Sequence, residues 1–155
     1  MQISAKVDYA VRAMLELAQL QAEDQDSIMT ADSIATAQAV PLKFLEGILR
    51  DLRRAGYVAT ARGPDGGYRL AVRAKEIAVA DIIRAIDGPL AEVRGEKPED
   101  AKYLGASTHL AEIWIAVRAS LRSVLETTYL SDLVDGKLSP QVIRSLKDPE
   151  AWTRR

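Results

Sequence analysis

Residues 41–70 read PLKFLEGILRDLRRAGYVATARGPDGGYRL, and two periods meet inside this stretch. From Pro41 to Arg54 the apolar residues Leu42, Leu45, Leu49 and Leu52 recur at steps of three and four, the spacing of one face of an α-helix. Pro41, with its fixed φ and missing N–H, suits the first helical position, and Gly56 supplies the stop. The apolar stripe turns Lys43, Gly47, Arg50 and Arg54 to the opposite side, with Phe44 and Glu46 on the flanks. Beyond Gly56 the pattern changes. YVATAR, then GPDGG, then YRLAV predict two short strands about a glycine-rich tip, a β-hairpin.

Upstream, Thr30 can cap a short helix over ADSIATAQ that buries Ile34 and Ala37, and Ala39 and Val40 form the turn into the next helix. Before a polar connection, QAEDQDSIM, the residues Ile3, Val7, Val11, Met14, Leu15 and Ala18 predict a first helix over Ile3–Leu20, capped by Ser4. Downstream, Val79 to Ile86 reads as a short amphipathic helix ended by Asp87, Gly88 and Pro89. Ala91 to Gly105 has no apolar period and reads as a mobile connection. From Thr108 to Tyr129 a helical seam returns through Leu110, Ile113, Val117, Leu121, Val124 and Thr128, long enough for about six turns. The tail LSDLVDGKLSPQVI offers one more short helix.

The expected fold is therefore mainly α with a small hairpin wing: a winged helix-turn-helix domain over 1–90, a flexible connection over 91–107, and a long dimerisation helix with its tail over 108–155. A length of 155 residues with 48% hydrophobic content suits one compact domain plus an appended helix. No apolar run approaches the roughly 20 residues that cross a bilayer, and MQISAKVDYAVRAM lacks the features of a leader, so the expected location is cytoplasmic, without membrane contact. The chain has no cysteine, which removes disulfides, thiolate metal sites and thiol switches. Net charge is −1, so any affinity for nucleic acid must rest on local charge. Between Pro41 and Leu70 that local charge is positive, with Lys43, Arg50, Arg53, Arg54, Arg62 and Arg69 against Glu46, Asp51 and Asp65.

Two short helices joined by a tight turn, the second with a basic outward face and followed at once by a hairpin, is the order of a winged helix-turn-helix. The major groove of duplex DNA admits an α-helix whose N-terminal residues reach base edges. There Lys43 can donate to guanine O6 or N7, Glu46 can accept from the cytosine amino group, and Phe44 can touch a thymine methyl. Gly47 lets the backbone come close to the sugar-phosphate, while Arg50, Arg53 and Arg54 suit phosphates. In the wing, Gly63, Gly66 and Gly67 permit a tight tip that presents Arg62 to a narrow minor groove, and Tyr68 braces the returning strand. Each piece has a plainer reading, a solvated helix or a simple hairpin turn, and it is their order and adjacency that point to double-stranded DNA. A winged helix that binds protein is the competing reading. An enzyme is not expected: no nucleophile with a base and no paired acids stand out, and GPDGG lacks the lysine and serine or threonine of a phosphate loop. A helix as long as 108–129 on so small a domain wants a partner, and a homodimer seam is expected at Leu110, Ile113, Trp114, Val117, Leu121 and Val124.

Over MQISAKVDYAVRAMLELA, VPLKFLEGILRDLRRAGYVATARGPDGGYRLA and IAVADIIRAIDGP, continued by ETTYLSDL, the sequence resembles the Rrf-two family of bacterial transcriptional regulators. The resemblance implies a DNA-binding regulator, expected to act as a repressor. It further implies a dimer clasped by the long C-terminal helix, with recognition helices in adjacent major grooves and wings in the flanking minor grooves. Positions matching Lys43, Phe44, Glu46 and Arg62 meet DNA in such proteins. Cluster-binding members carry three cysteines in the connection that here runs from Leu90 to His109, and this chain has none, so no cofactor is expected and no metal. Asp8 stands where some members have a non-cysteine cluster ligand, and without thiolates a solvent-facing or capping role suits it better. His109 and Glu112 form only a lone pair of potential ligands. The signal has two candidate sources: a small-molecule effector in a pocket around Tyr103, His109 and Trp114, or a regulatory protein docking on EKPED at 96–100.

Overall fold

The computed structural model describes residues 2–153, so Met1, Arg154 and Arg155, at the outer ends of the first and last expected units, lie outside it. Among the described residues, seven α-helices and one two-stranded antiparallel sheet are ordered α1 (Ala5–Glu23), α2 (Ala31–Gln38), α3 (Leu42–Arg54), β1 (Val58–Ala61), β2 (Gly67–Leu70), α4 (Val79–Asp87), α5 (Leu110–Leu125), α6 (Leu130–Asp135) and α7 (Pro140–Leu146). The Ser4 and Thr30 side chains accept from the backbone N–H groups of Val7 and Ser33, so both expected caps form.

One core holds the first 90 residues together. Ala10, Ala13, Met14 and Leu17 of α1 pack on Ile34 of α2, on Leu45, Ile48, Leu49 and Leu52 of α3, and on Ile82 of α4. Small residues at 10 and 13 let neighbouring helices approach α1 closely. The buried stripe of α3 differs from the expected one: Leu42, in the first turn, is 38% exposed, and Ile48 is fully buried in its place. The stripe thus runs 45, 48, 49, 52, and a residue one turn upstream of it overhangs the edge of the core. In α2 the buried partner of Ile34 is Ala35, while Ala37 faces solvent. Pro41 precedes α3 as its cap residue in an extended conformation rather than opening it.

The C-terminal part departs further from the periodic reading. α5 is 16 residues long and ends at Leu125. Past that point the Thr127 and Thr128 hydroxyls donate back to the Ser123 and Val124 carbonyls, at 2.8 Å each, and the Thr128 carbonyl accepts from Val79 N–H at 2.9 Å. Side-chain competition for the last-turn carbonyls and this pull toward α4 end the helix. α6 then returns to the main core, where Leu130 is fully buried beside α1. The tail holds α7 and a 3-10 turn over Pro149–Trp152 as well, not a single short helix. Between Leu90 and Leu104 there is no helix or strand beyond a Val93–Glu96 bridge, but Pro98 and Ala101 are buried and Glu99 meets Arg118 of α5 at 2.6 Å.

Candidate nucleic-acid interface

The angle between α2 and α3 is set by three residues. Ala39 sits in the left-handed region at φ 51, which allows Val40 N–H to bond back to the Ala35 carbonyl at 2.9 Å and Val40 to bury its side chain. Pro41 then caps α3, its carbonyl accepting from the N–H groups of Phe44 and Leu45. Arg12 of α1 fixes the same corner, donating to Gln38, which in turn donates to Glu16.

Fixed in this way, α3 presents Lys43, Phe44, Glu46, Arg50, Arg53 and Arg54 to solvent, with Gly47 half-buried among them. The cations divide into two groups. Arg54 lies 3.9 Å from Asp51, and Arg69 lies 3.5 Å from Asp26. Asp51 also accepts from Lys6 of α1 at 2.9 Å, and that hydrogen bond holds its carboxyl below the usual aspartate range. Lys43, Arg50, Arg53 and Arg62, by contrast, have no carboxylate within 4.0 Å among the described residues. Their charge is unspent within the fold.

The wing stands beside this face. β1 and β2 pair with Thr60 opposite Tyr68 and Ala61 opposite Gly67. At the tip, Gly66 N–H bonds to the Gly63 carbonyl, and Gly63 has φ 109. A Cβ at Gly66 would lie 2.6 Å from the Ala61 carbonyl oxygen. Gly67 has a different reason, absent from the hairpin reading: β2 is flanked on its far side by Met29, which exchanges two backbone hydrogen bonds with Tyr68, at 2.8 and 2.9 Å. A Cβ at Gly67 would come within 2.8 Å of the Met29 carbonyl oxygen. The sequence signal for this bridge is slight, the apolar pair Ile28–Met29 before the α2 cap. Tyr68 is half-buried, and together with Lys43, Glu46, Arg50 and Arg53 it lines a cleft of about 280 Å³ between α3 and the wing. Helix and hairpin thus open on one side of the subunit. Arg62, at the tip, is exposed.

The second candidate surface is α5, which has no buried residue along its 16 positions. Ile113, Val117, Leu121 and Val124 line a groove of about 820 Å³, together with Ile3, Val7 of α1 and Ile83 of α4. Leu110 and Trp114, the other two seam residues, are half-buried and outside the lining of the groove. The expected effector trio does not converge there either. His109 pairs with Glu112 at 3.2 Å on the surface, the Tyr103 ring lies under the Arg94 guanidinium at 5.9 Å, and none of Tyr103, His109 and Trp114 lines the groove. α5 is tied to α4 by Arg84, which bridges Asp81 and Glu126.

A helix-turn-helix with an exposed basic second helix, and a wing that opens on the same side, defines a winged helix-turn-helix DNA-binding regulator. The chain belongs to the Rrf2 family, described as iron-dependent transcriptional regulators, whose profile it matches over residues 3–136. It is 45% identical over 148 residues to an HTH-type transcriptional regulator of Mycobacterium tuberculosis, covering 96% of this chain and 89% of the relative. Among solved structures it is similar to CymR, the global cysteine regulator of Bacillus subtilis, with a TM-score of 0.73, 32% identity, and coverage of 88% of this chain and 98% of that one. It is also similar to IscR of T. potens, with a TM-score of 0.70, 30% identity, and coverage of 100% and 93%.

The family description raises iron, and the donor set does not fit it. The chain has no cysteine and one histidine. Among the described residues, no three histidine, aspartate or glutamate side chains gather as a metal site. Asp8 is engaged by Arg12 at 3.3 Å. No helix of the described residues is long and apolar enough to cross a membrane.

Proposed function

We propose that the protein is a homodimeric transcriptional repressor that sets α3 of each subunit in a major groove and Arg62 of each wing in a flanking minor groove. The carrying observation is the cleft between α3 and β2, where Lys43, Arg50 and Arg53 stand exposed and, among the described residues, without a carboxylate partner. Lys43 and Glu46, in the first two turns of α3, read base edges, Phe44 contacts a thymine methyl, and Arg53, Arg54 and backbone near Gly47 hold phosphates. Gly63, Gly66 and Gly67 shape the tip that carries Arg62.

The dimer is supported by α5, whose apolar residues Ile113, Val117, Leu121 and Val124 line the groove, Ile113 exposed and the other three half-buried. The occupant that fits is the same helix of a second copy, because a two-fold axis along α5 matches each apolar face with its own equivalent. Control of the regulator falls to a small-molecule effector or to a regulatory protein docking on residues 96–100.

The test is fluorescence anisotropy on a duplex selected by the purified protein, across a salt series. Arg53 and Arg54 on phosphates in each subunit predict that log K falls with log salt at a slope of about −4 for the dimer. A flat salt response, as an apolar protein contact would give, overturns the reading. Glu46→Ala relaxes preference at one base position, and Arg62→Ala weakens binding throughout. In vitro transcription from a promoter overlapping the selected site reads repression directly.

A further inference from the structure

α3 carries a glycine in its middle, Gly47, on the face it shares with Lys43 and Arg50. A glycine there weakens a helix, yet the fold does not require one. Its φ is not in the left-handed region, and a Cβ built at Gly47 meets one atom within 4 Å, Nη2 of Arg50 at 3.6 Å, an ordinary contact. The space above Gly47 is therefore used by the Arg50 side chain and by nothing else within that radius.

This changes what Arg50 can reach. Helical side chains lean toward the N-terminus of their helix, so the Arg50 guanidinium lies back over residue 47, about one turn closer to the base-reading end than its own Cα. There it shares the cleft with Lys43 and Glu46, and no carboxylate among the described residues holds it. A planar fork so delivered matches O6 and N7 of guanine, the commonest specific arginine contact in a major groove. The geometry points to Arg50 as a base-reading residue that specifies a guanine, with Gly47 as the gap that admits it, rather than as a phosphate anchor like Arg53. The inference rests on α3 entering the major groove as proposed above.

The experiment selects bound sequences from a random duplex pool with the full chain. Binding to the selected site and to an unrelated duplex is then measured at two salt concentrations for Arg50→Ala, Arg50→Lys and Gly47→Gln. Arg50→Ala and Gly47→Gln are expected to flatten the same guanine in each half-site and to cost about tenfold in affinity for the selected duplex. The unrelated duplex should change by less than about threefold, a loss of one phosphate-range charge. Arg50→Lys should keep non-specific binding and lose the guanine, since an ammonium lacks the fork. An unchanged selection with equal losses on both duplexes and a shallower salt slope would make Arg50 a phosphate contact and overturn the inference. Lys43→Ala and Glu46→Ala, run in parallel, separate the two failures: if they too leave the selection unchanged, it is the placement of α3 in the groove that falls. All four positions substituted are on the surface or half-buried, and circular dichroism verifies folding.

Discussion

Tyr9 of α1 meets Phe44 of α3 edge to face, with ring centroids 5.9 Å apart and planes at 89°. The Arg12 guanidinium lies over the Tyr9 ring at 5.6 Å, so the first helix braces an exposed aromatic ring of the recognition helix. Phe44 is 49% exposed, and the brace limits the directions in which that ring can point. Such aromatic pairs contribute about 0.5–1.5 kcal/mol.

Tyr9→Ala is therefore expected to lower operator affinity by about two- to tenfold, the equivalent of that energy, while Tyr9→Phe, which keeps the ring, leaves it unchanged. Anisotropy titrations of the two variants decide the matter. Equal loss in both would assign the effect to the Tyr9 hydroxyl instead.

Gly67→Ala places a methyl group 2.8 Å from the Met29 carbonyl oxygen, and backbone on both sides must shift. A cost of about 1–3 kcal/mol is expected, as for overpacked sites. Urea unfolding reads it as a lower midpoint with an unaltered slope. Hydrogen exchange should show faster exchange at Met29 and Tyr68, whose amides form the bridge.

Val117→Asp and Leu121→Asp put a carboxylate on the apolar face of α5. Neither residue is part of the α3 or wing surface, so folding of the subunit should persist. Sedimentation is expected to show monomers, with operator affinity lower by about 100-fold or more because the second half-site no longer binds intramolecularly. An intact dimer would place the seam elsewhere.

The Lys6–Asp51 pair sets an acid limit. Hydrogen bonding to Lys6 lowers the folded-state pKa of Asp51 below its unfolded value, so the contribution is fully present above about pH 4 and is lost as pH falls through the lower folded value. Lys6→Met should flatten the fall in urea midpoint below about pH 4 relative to the parent chain. The same steepness in both proteins would show that the pair does not couple to folding.

Helical and strand periods, caps and glycines were enough to place α1 to α4 and the wing, because each of these elements is decided by residues near one another in the chain. The α3 stripe was legible through Leu45, Leu49 and Leu52, yet Leu42 and Ile48 exchange roles, since periodicity gives a face but not where the core edge falls along it. The Met29–Tyr68 bridge joins residues 39 apart through backbone atoms and leaves no side-chain pattern. The end of α5 was misplaced for a related reason: Leu121, Val124 and Thr128 keep helical spacing, but threonine hydroxyls and a carbonyl claimed by Val79 end the helix between them. The fold-back of Arg50 over Gly47 is a rotamer, invisible to a reading by spacing. So too is the groove along α5, which draws on three separated stretches of the chain, 2–7, 83–91 and 113–125, and the sequence neighbours Tyr103, His109 and Trp114 are not its lining.

Because β2 is stitched to Met29, the hairpin has a third edge that leads directly into α2 through the Thr30 cap. The pitch of the wing is thereby geared to the loop that joins α1 to α2, over Asp24–Ile28. Adding or deleting a residue in that loop is expected to tilt Arg62 relative to α3 without altering any side chain of α3 or the wing. In the proposed complex, operator spacing would then depend on a segment outside both.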